Sequence, residues 1–329
     1  MPPSSDPCLF ALRASASFGQ RLADAHAVSL SAHEEQTFDD GEHAARPLVN
    51  VRGRDTYVVQ SLFDGPEQSV NDKLCRLLFF ISTLRDAGAA RITALAPYLG
   101  YARKDRRTQP RDPVTTRYVA QLLEAAGLDR IVTMDVHNRA AYQNAFRIPT
   151  VHRAAQPLFV DHFAERGAPS DPLVVVSPDI GGFQRADRFR EALSEALTTD
   201  VPLAIAEKKR SAGDVTVAAL VGDVAGRHAI IIDDMISTGT TLARAAAACH
   251  DAGATGVSAA ATHGLFVGDA ETTLTAADLD ELVVTNTVFP VQLASTAARS
   301  MLTTLDAGPL FADLVDQLHH NEPITTSAP

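Results

Sequence analysis

Residues 230–242 read Ile-Ile-Ile-Asp-Asp-Met-Ile-Ser-Thr-Gly-Thr-Thr-Leu, and this stretch decides the fold. With Ala229 it opens as an apolar, β-branched run to Ile232, the pattern of a strand buried in a parallel sheet. Two carboxylates follow, Asp233 and Asp234. Then come the small hydroxyl loop Ser237-Thr238-Gly239-Thr240-Thr241 and an alanine-rich helical pattern from Leu242 to His250. Strand, short loop and helix N-terminus in that order form an anion site in α/β folds, because loop amides and the positive helix end point at the ligand. The hydroxyls add donors, and Gly239 lets the backbone come close. Adjacent carboxylates repel a phosphate but suit sugar hydroxyls or Mg²⁺ at the other end of the same ligand. The stretch therefore reads as a sugar-phosphate site. The same letters also fit a strand end, a solvated turn and a capped helix.

Working outward, Leu173–Val176 is a second strand, running into Ser177-Pro178-Asp179-Ile180-Gly181-Gly182. Amides at a glycine pair suit a pyrophosphate or its Mg²⁺, with Asp179 as the metal-facing carboxylate. Ile92–Pro97 is a strand that opens onto Tyr98–Arg107, the densest basic segment of the chain, with Arg103 and Lys104 at its centre. A charge cluster is usually a solvated face, but this one follows a strand end, where α/β sheets place ligands. Ile131–Met134 ends in Asp135-Val136-His137. Two residues apart on a pleat, Asp135 and His137 are expected to project to one side, an arrangement suited to Mg²⁺–ATP. Glu207–Asp214 reads as a flexible basic loop or a solvated hairpin tip, and Thr37–Glu42 as a turn with one aromatic and three carboxylates.

The remaining pattern alternates helices and strands. Helices are expected near 18–26, 71–87, 114–126 and 310–318, and strands near 56–62, 203–206, 215–221, 257–261 and 282–287. Asp86-Ala-Gly-Ala-Ala-Arg-Ile-Thr-Ala and Asp251-Ala-Gly-Ala-Thr-Gly-Val-Ser-Ala echo each other, each a helix end, a glycine turn and a strand.

At 329 residues the chain is long enough for two domains of roughly 150 residues each. A net charge of −11, with no basic block interleaved with aromatics, argues against nucleic acid as the main partner. Cys8, Cys75 and Cys249 are few and scattered, which suits a reducing cytoplasm rather than a disulfide framework or a zinc site. The first residues show no basic segment backed by an apolar core, and there is no apolar run of about 18 residues, so no membrane association is expected. No GxxxxGK[ST] loop is present.

Several of these segments, in order, resemble the ribose-phosphate pyrophosphokinases (PRPP synthetases), a branch of the type I phosphoribosyltransferase superfamily. The Asp233–Thr241 string resembles the family's PRPP-binding motif, with Ser237 in place of the usual Asp and Thr240 in place of the usual Gly. The resemblance implies that Ser237, Thr238, Gly239, Thr240 and Thr241 hold the 5-phosphate of ribose 5-phosphate, while Asp233 and Asp234 address its hydroxyls. Phe38, Asp40 and Glu42 match F-S-D-G-E, whose members reach the adenine of ATP in a neighbouring subunit. Arg103 matches the family's ATP-contacting Arg, and Lys104 stands where Gln is usual. Asp135-Val136-His137 resembles D-L-H, which places His137 by the phosphates and metal, and Ser177–Gly182 matches S-P-D-x-G-G. Lys208 and Arg210 match the family's catalytic loop, where they clamp the transferring group, while Ala212 lacks a second Arg.

The resemblance implies two phosphoribosyltransferase-type α/β domains, each a largely parallel sheet flanked by helices. They are expected at 1–152, on the ATP side, and 153–320, on the ribose 5-phosphate side, with Pro149–Ala155 as the link and 321–329 as a disordered tail. ATP is expected between the domains. The implied reaction is Mg²⁺-dependent diphosphoryl transfer from ATP to ribose 5-phosphate, giving PRPP and AMP, in a cytoplasmic homo-oligomer built from dimers, up to a hexamer. The catalytic residues are expected to be Lys208, Arg210 and His137, and the metal-facing ones His137, Asp179 and Asp135. The alternatives are a phosphoribosyltransferase that consumes PRPP, a non-catalytic regulatory paralogue, and a relative using another sugar phosphate.

Overall fold

The computed structural model describes residues 7–165, 172–211 and 214–324, with the backbone alone over the described part of 207–219. The chain divides into two compact units. The first takes the chain up to Ala154 together with Thr287–Pro290 and the stretch from Asp306, and the second takes Ala155–Asn286 and Val291–Leu305.

Unit 1 contains β1 (Cys8–Ala11), α1 (Ala16–Ala25), β2 (His33–Thr37), β3 (His43–Pro47), β4 (Asp55–Val59), α2 (Val70–Asp86), β5 (Arg91–Ala96), α3 (Thr115–Ala125), β6 (Arg130–Met134), α4 (Arg139–Ala145) and β7 (Thr150–Arg153). Its main sheet is parallel throughout, in the order β1-β4-β5-β6-β7. The strands are apolar on both faces because helices cover both sides, which is what continuous runs such as Ile92–Ala96 require. β2 and β3 form a separate antiparallel ribbon. Helix α2 buries Leu74, Leu77, Ile81 and Leu84, the helical-period residues of its sequence, in the core of this unit.

Unit 2 follows with α5 (Gln156–Glu165), β8 (Leu173–Ser177), α6 (Phe183–Leu197), β9 (Leu203–Ser211), β10 (Asp214–Val221), β11 (His228–Ile236), α7 (Thr240–Asp251), β12 (Gly256–Gly264), α8 (Ala270–Thr275), β13 (Glu281–Thr285), α9 (Thr296–Ser300) and β14 (Leu302–Leu305). The sheet order is β10-β9-β8-β11-β12-β13-β14, parallel except for the β9–β10 pair. The chain ends with α10 (Gly308–His320), which belongs to unit 1.

The α/β plan and most elements fall where the sequence puts them, with these differences. The units part between Ala154 and Ala155, inside the expected link Pro149–Ala155, but Thr150–Arg153 of that stretch is the edge strand of the first sheet. Helix α10, expected in the C-terminal domain, packs in unit 1. Phe311 meets Phe18 edge-on, with ring centroids 5.3 Å apart, and His319 Nδ1 lies 3.0 Å from Asp55 Oδ2. The tail is ordered at its start: Asn321 caps α10 in the left-handed conformation and accepts from Arg91 at 3.2 Å, while 325–329 lie outside the described residues. Of the two readings of 207–214, the described part agrees with the hairpin rather than an open loop. Lys208 pairs with Val217 and Arg210 with Val215 in an antiparallel ladder, with Ala212 and Gly213 outside the described residues.

Candidate active site

The candidate residues of unit 1 stand on the loops after its strands and on the β2–β3 turn. That turn is closed by its own backbone: Phe38 N donates to Glu42 O at 2.8 Å and Gly41 N to Phe38 O at 3.0 Å. Gly41 takes a φ of 90°, and Asp40 Oδ1 accepts from the Glu42 amide at 3.0 Å. Phe38 is left 41% exposed, a suitable position for stacking.

Beyond β5 the basic segment is held by one carboxylate. Asp112 Oδ2 accepts from Lys104 Nζ at 2.6 Å, from Thr108 Oγ1 at 2.7 Å, and from the amides of Thr108 and Gln109 at 2.9 and 3.0 Å. These donors hold its carboxyl well below the usual range, with Lys104 the largest cause. The structure thus gives Lys104 a local partner that the sequence did not suggest, while Arg103 is exposed beside it. Asp105 accepts from Asn138 Nδ2 at 2.6 Å, and Asn138 caps α4 by accepting from the Ala141 amide at 3.0 Å. This bond ties the basic loop to the loop after the neighbouring strand β6 and brings His137, exposed, next to it.

The pleat expected for Asp135 and His137 is absent. β6 ends at Met134, and Asp135 turns to a φ of 34°, so strand alternation does not apply to either residue. Asp135 instead lies 3.8 Å from His152 on the edge strand β7.

In unit 2 the residues gather at the carboxyl ends of the paired strands β8 and β11. Strand β11 runs past the apolar stretch through both aspartates to Ile236. Its continuation is braced by the segment after β12: Leu265 N donates to Ile236 O at 2.9 Å and Val267 N to Ser237 O at 3.0 Å. Gly239 then begins α7 with a φ of 74° and no side-chain cap. A Cβ there would meet Leu274 Cγ at 2.9 Å, so the position needs glycine on two counts. Thr238 and Thr240, both exposed, share a 3.0 Å hydroxyl contact over this turn. The first amides of α7 are therefore left for an outside acceptor.

Asp233 folds back on its neighbour, its Oδ1 accepting the Asp234 amide at 2.8 Å. Burial, and then the adjacent Asp234 carboxylate, push the Asp233 carboxyl well above the usual range. Arg185, on α6, answers both charges, with Nη1 3.4 Å from Asp233 Oδ1 and 3.6 Å from Asp234 Oδ1. Sequence reading left Arg185 out of the site. Its signal was the helical phase that follows the Asp179–Gly182 turn. Asp179 starts that turn by accepting the Gly182 amide at 3.0 Å, and Ser177 Oγ donates to the Asp179 carbonyl at 2.7 Å. Among the described residues no group of three or more His, Cys, Asp or Glu converges as a metal cage. The side chains of Lys208 and Arg210 lie outside the described residues.

Comparison with known proteins covers nearly the whole chain. Residues 7–127 match the model of the N-terminal domain of ribose phosphate pyrophosphokinase, and residues 174–327 that of a phosphoribosyl synthetase-associated domain. A ribose-phosphate pyrophosphokinase of Clostridium perfringens is 38% identical over 308 residues, 93% of this chain and 92% of the relative. One of Hyphomonas neptunium is 38% identical over 318 residues, 96% of this chain and 98% of the relative. The crystal structure of phosphoribosylpyrophosphate synthetase from Mycobacterium smegmatis superposes with a TM-score of 0.86 at 35% identity, covering 96% of this chain and all of that one.

Proposed function

This chain belongs to the ribose-phosphate pyrophosphokinase family, and from that premise we propose that it makes PRPP and AMP from ATP and ribose 5-phosphate. The observation that carries the reading is the start of α7, with no side-chain cap at Gly239, a few residues after two carboxylates, Asp233 half-buried and Asp234 buried. It offers amides for a phosphate and acceptors for hydroxyls on one short segment.

The 5-phosphate is assigned to the amides and hydroxyls of Ser237–Thr241, and the ribose hydroxyls to Asp233 and Asp234. ATP is assigned to Arg103, Lys104 and His137, with Phe38, Asp40 and Glu42 meeting the adenine bound by a neighbouring subunit. The exposure of Phe38 supports that last assignment, and with it a homo-oligomer. In the reaction the anomeric oxygen of ribose forms a bond to the β-phosphorus of ATP. The bond from that phosphorus to the α-phosphate oxygen breaks, AMP leaves, and the hydroxyl proton is released. Positioning and charge neutralisation carry such a step, with Lys208 and Arg210 assigned to the charge on the moving group and His137 to the phosphates.

A divalent metal fits the donors present. Mg²⁺ takes oxygen ligands and is held largely through substrate phosphates, with one or two carboxylates from the protein. Asp179, fixed by the Gly182 amide, and Asp135 are oxygen donors of that kind, and His137 follows Asp135 by two positions in the sequence. When bound, the ion neutralises phosphate charge. Among the described residues no helix is long and apolar enough to cross a membrane, and a cytoplasmic location is part of the proposal.

The test is AMP formation from ATP and Mg²⁺ with and without ribose 5-phosphate, with PRPP identified by mass. AMP that depends on ribose 5-phosphate, together with PRPP, supports the reading. Turnover restricted to another sugar phosphate, or binding of ATP without turnover, overturns it. Lys208→Ala is expected to lower kcat by orders of magnitude with little change in ribose 5-phosphate affinity, and an unchanged kcat would refute that residue's role.

A further inference from the structure

Two carboxylates side by side on one strand are a poor receptor unless something holds them. Asp234 is 4% exposed, and together the aspartates would tend to keep a proton between them, which turns one acceptor into a donor. Arg185 faces both carboxylates and fixes how the pair is arranged. It is the third residue of α6, near the positive end of that helix. A single guanidinium nitrogen lies within ion-pair reach of both Oδ1 atoms, at 3.4 and 3.6 Å. Unlike a lysine, the guanidinium stays charged when desolvated and can serve two oxygens at once.

We propose that Arg185 is a positioning residue for the acceptor sugar: it holds Asp233 and Asp234 aligned as a pair that receives two vicinal ribose hydroxyls. The inference rests on assigning those aspartates to ribose. It makes Arg185 a determinant of sugar recognition without contact to the phosphoryl groups, and a source of preference for ribose 5-phosphate over its 2-deoxy counterpart. An ordered pair is left unmatched by a sugar lacking one hydroxyl, whereas a disordered pair loses little.

The experiment uses the full chain with Arg185→Gln, Arg185→Lys and, as a control on an exposed position of the same helix, Arg188→Gln. Ribose 5-phosphate and 2-deoxyribose 5-phosphate binding are measured by calorimetry, and the KM for ATP and the melting temperature are measured in parallel. The expected result for Arg185→Gln is ribose 5-phosphate binding weakened at least about tenfold and a narrower ribose-over-deoxyribose ratio, with ATP KM and melting temperature close to the parent. Arg185→Lys regains part of the loss, and Arg188→Gln shows none. Ribose 5-phosphate affinity within about twofold of the parent in Arg185→Gln overturns the proposal. So does a parallel fall of ATP affinity and melting temperature, the mark of a purely structural contact. Because binding is read without turnover, a parent chain that binds ribose 5-phosphate but forms no PRPP fails the proposed reaction and leaves the Arg185 result standing by itself.

Discussion

The β4–α2–β5 segment of unit 1 and the β11–α7–β12 segment of unit 2 are built on one frame and end in opposite states. Val51-Arg52-Gly53-Arg54 leads into β4, and Val224-Ala225-Gly226-Arg227 into β11. The Gly53 amide donates to Gly88 O at 2.8 Å, and the Gly226 amide to Gly253 O at 2.9 Å. Both helices stop at a glycine with a φ of 88°, and near the start of each following strand an amide is bound by the aspartate just before the adjacent strand: Ile92 N to Asp129 at 2.7 Å, Val257 N to Asp280 at 2.8 Å. The difference lies between strand and helix. In unit 1 the loop 60–69 ends in a capping box, where Ser69 Oγ accepts the Asp72 amide at 3.2 Å and Asp72 returns the bond to the Ser69 amide at 2.8 Å. Behind it Lys73 is buried with Nζ 3.2 Å from the centre of the Phe63 ring, and burial pushes its pKa down to about 8. In unit 2 the loop 237–239 has no such cap. A shared frame can therefore carry a ligand site or a closed joint, and the choice is made by whether the first helix amides are committed to the chain itself.

Four measurements bear on that contrast. Gly239→Val should close the open joint: a β-branched residue at a φ of 74°, against Leu274 at 2.9 Å, is expected to cost on the order of a hundredfold in ribose 5-phosphate affinity, read by calorimetry. Retained affinity would mean that the α7 amides are not the phosphate site.

The second is pH. Asp233 has its carboxyl raised above the unfolded value, mainly by burial, so the folded state holds the extra proton. Stability of the chain should fall as pH rises from the ordinary carboxylate range through the raised value, while ribose affinity rises through the same window, up to about tenfold per unit. The affinity limb should vanish in Asp233→Asn.

Third, Ser69→Ala with Asp72→Ala should destabilise the closed joint by about 2 kcal/mol in urea and leave ribose 5-phosphate binding alone. The smallest effect is the shared one. Gly88→Ala and Gly253→Ala meet only ordinary contacts, 3.4 and 3.7 Å from their nearest atoms, so each should cost about 1 kcal/mol of backbone strain, alike in the two units. Unequal costs would argue against a common frame.

Much of this was legible in the letters. The run Ile230–Leu242 announced strand, loop and helix, and the Asp86 and Asp251 echoes announced the paired frame down to their glycines. What escaped were contacts with no sequence period. Lys104 and Asp112 meet inside one irregular loop, and Arg185 reaches β11 from a different element. Asp135 defeated the pleat argument because its strand stops one residue earlier. The place of α10 was hidden because an amphipathic helix advertises that it will be buried but not against which core.

That helix also sets a timetable for synthesis. Asp55, buried at the start of β4, accepts from Tyr57, Arg91 and His319, and α1 presents Phe18 to Phe311. The first two of these partners leave the ribosome early and the others only near the end of translation. At roughly 5–20 residues per second, a nascent chain carries its first domain for many seconds with an apolar helix face uncovered and a buried carboxylate short of one donor. The part made first is thus the part finished last, which makes the nascent protein a natural client for chaperones that shield apolar surface until the last segment emerges.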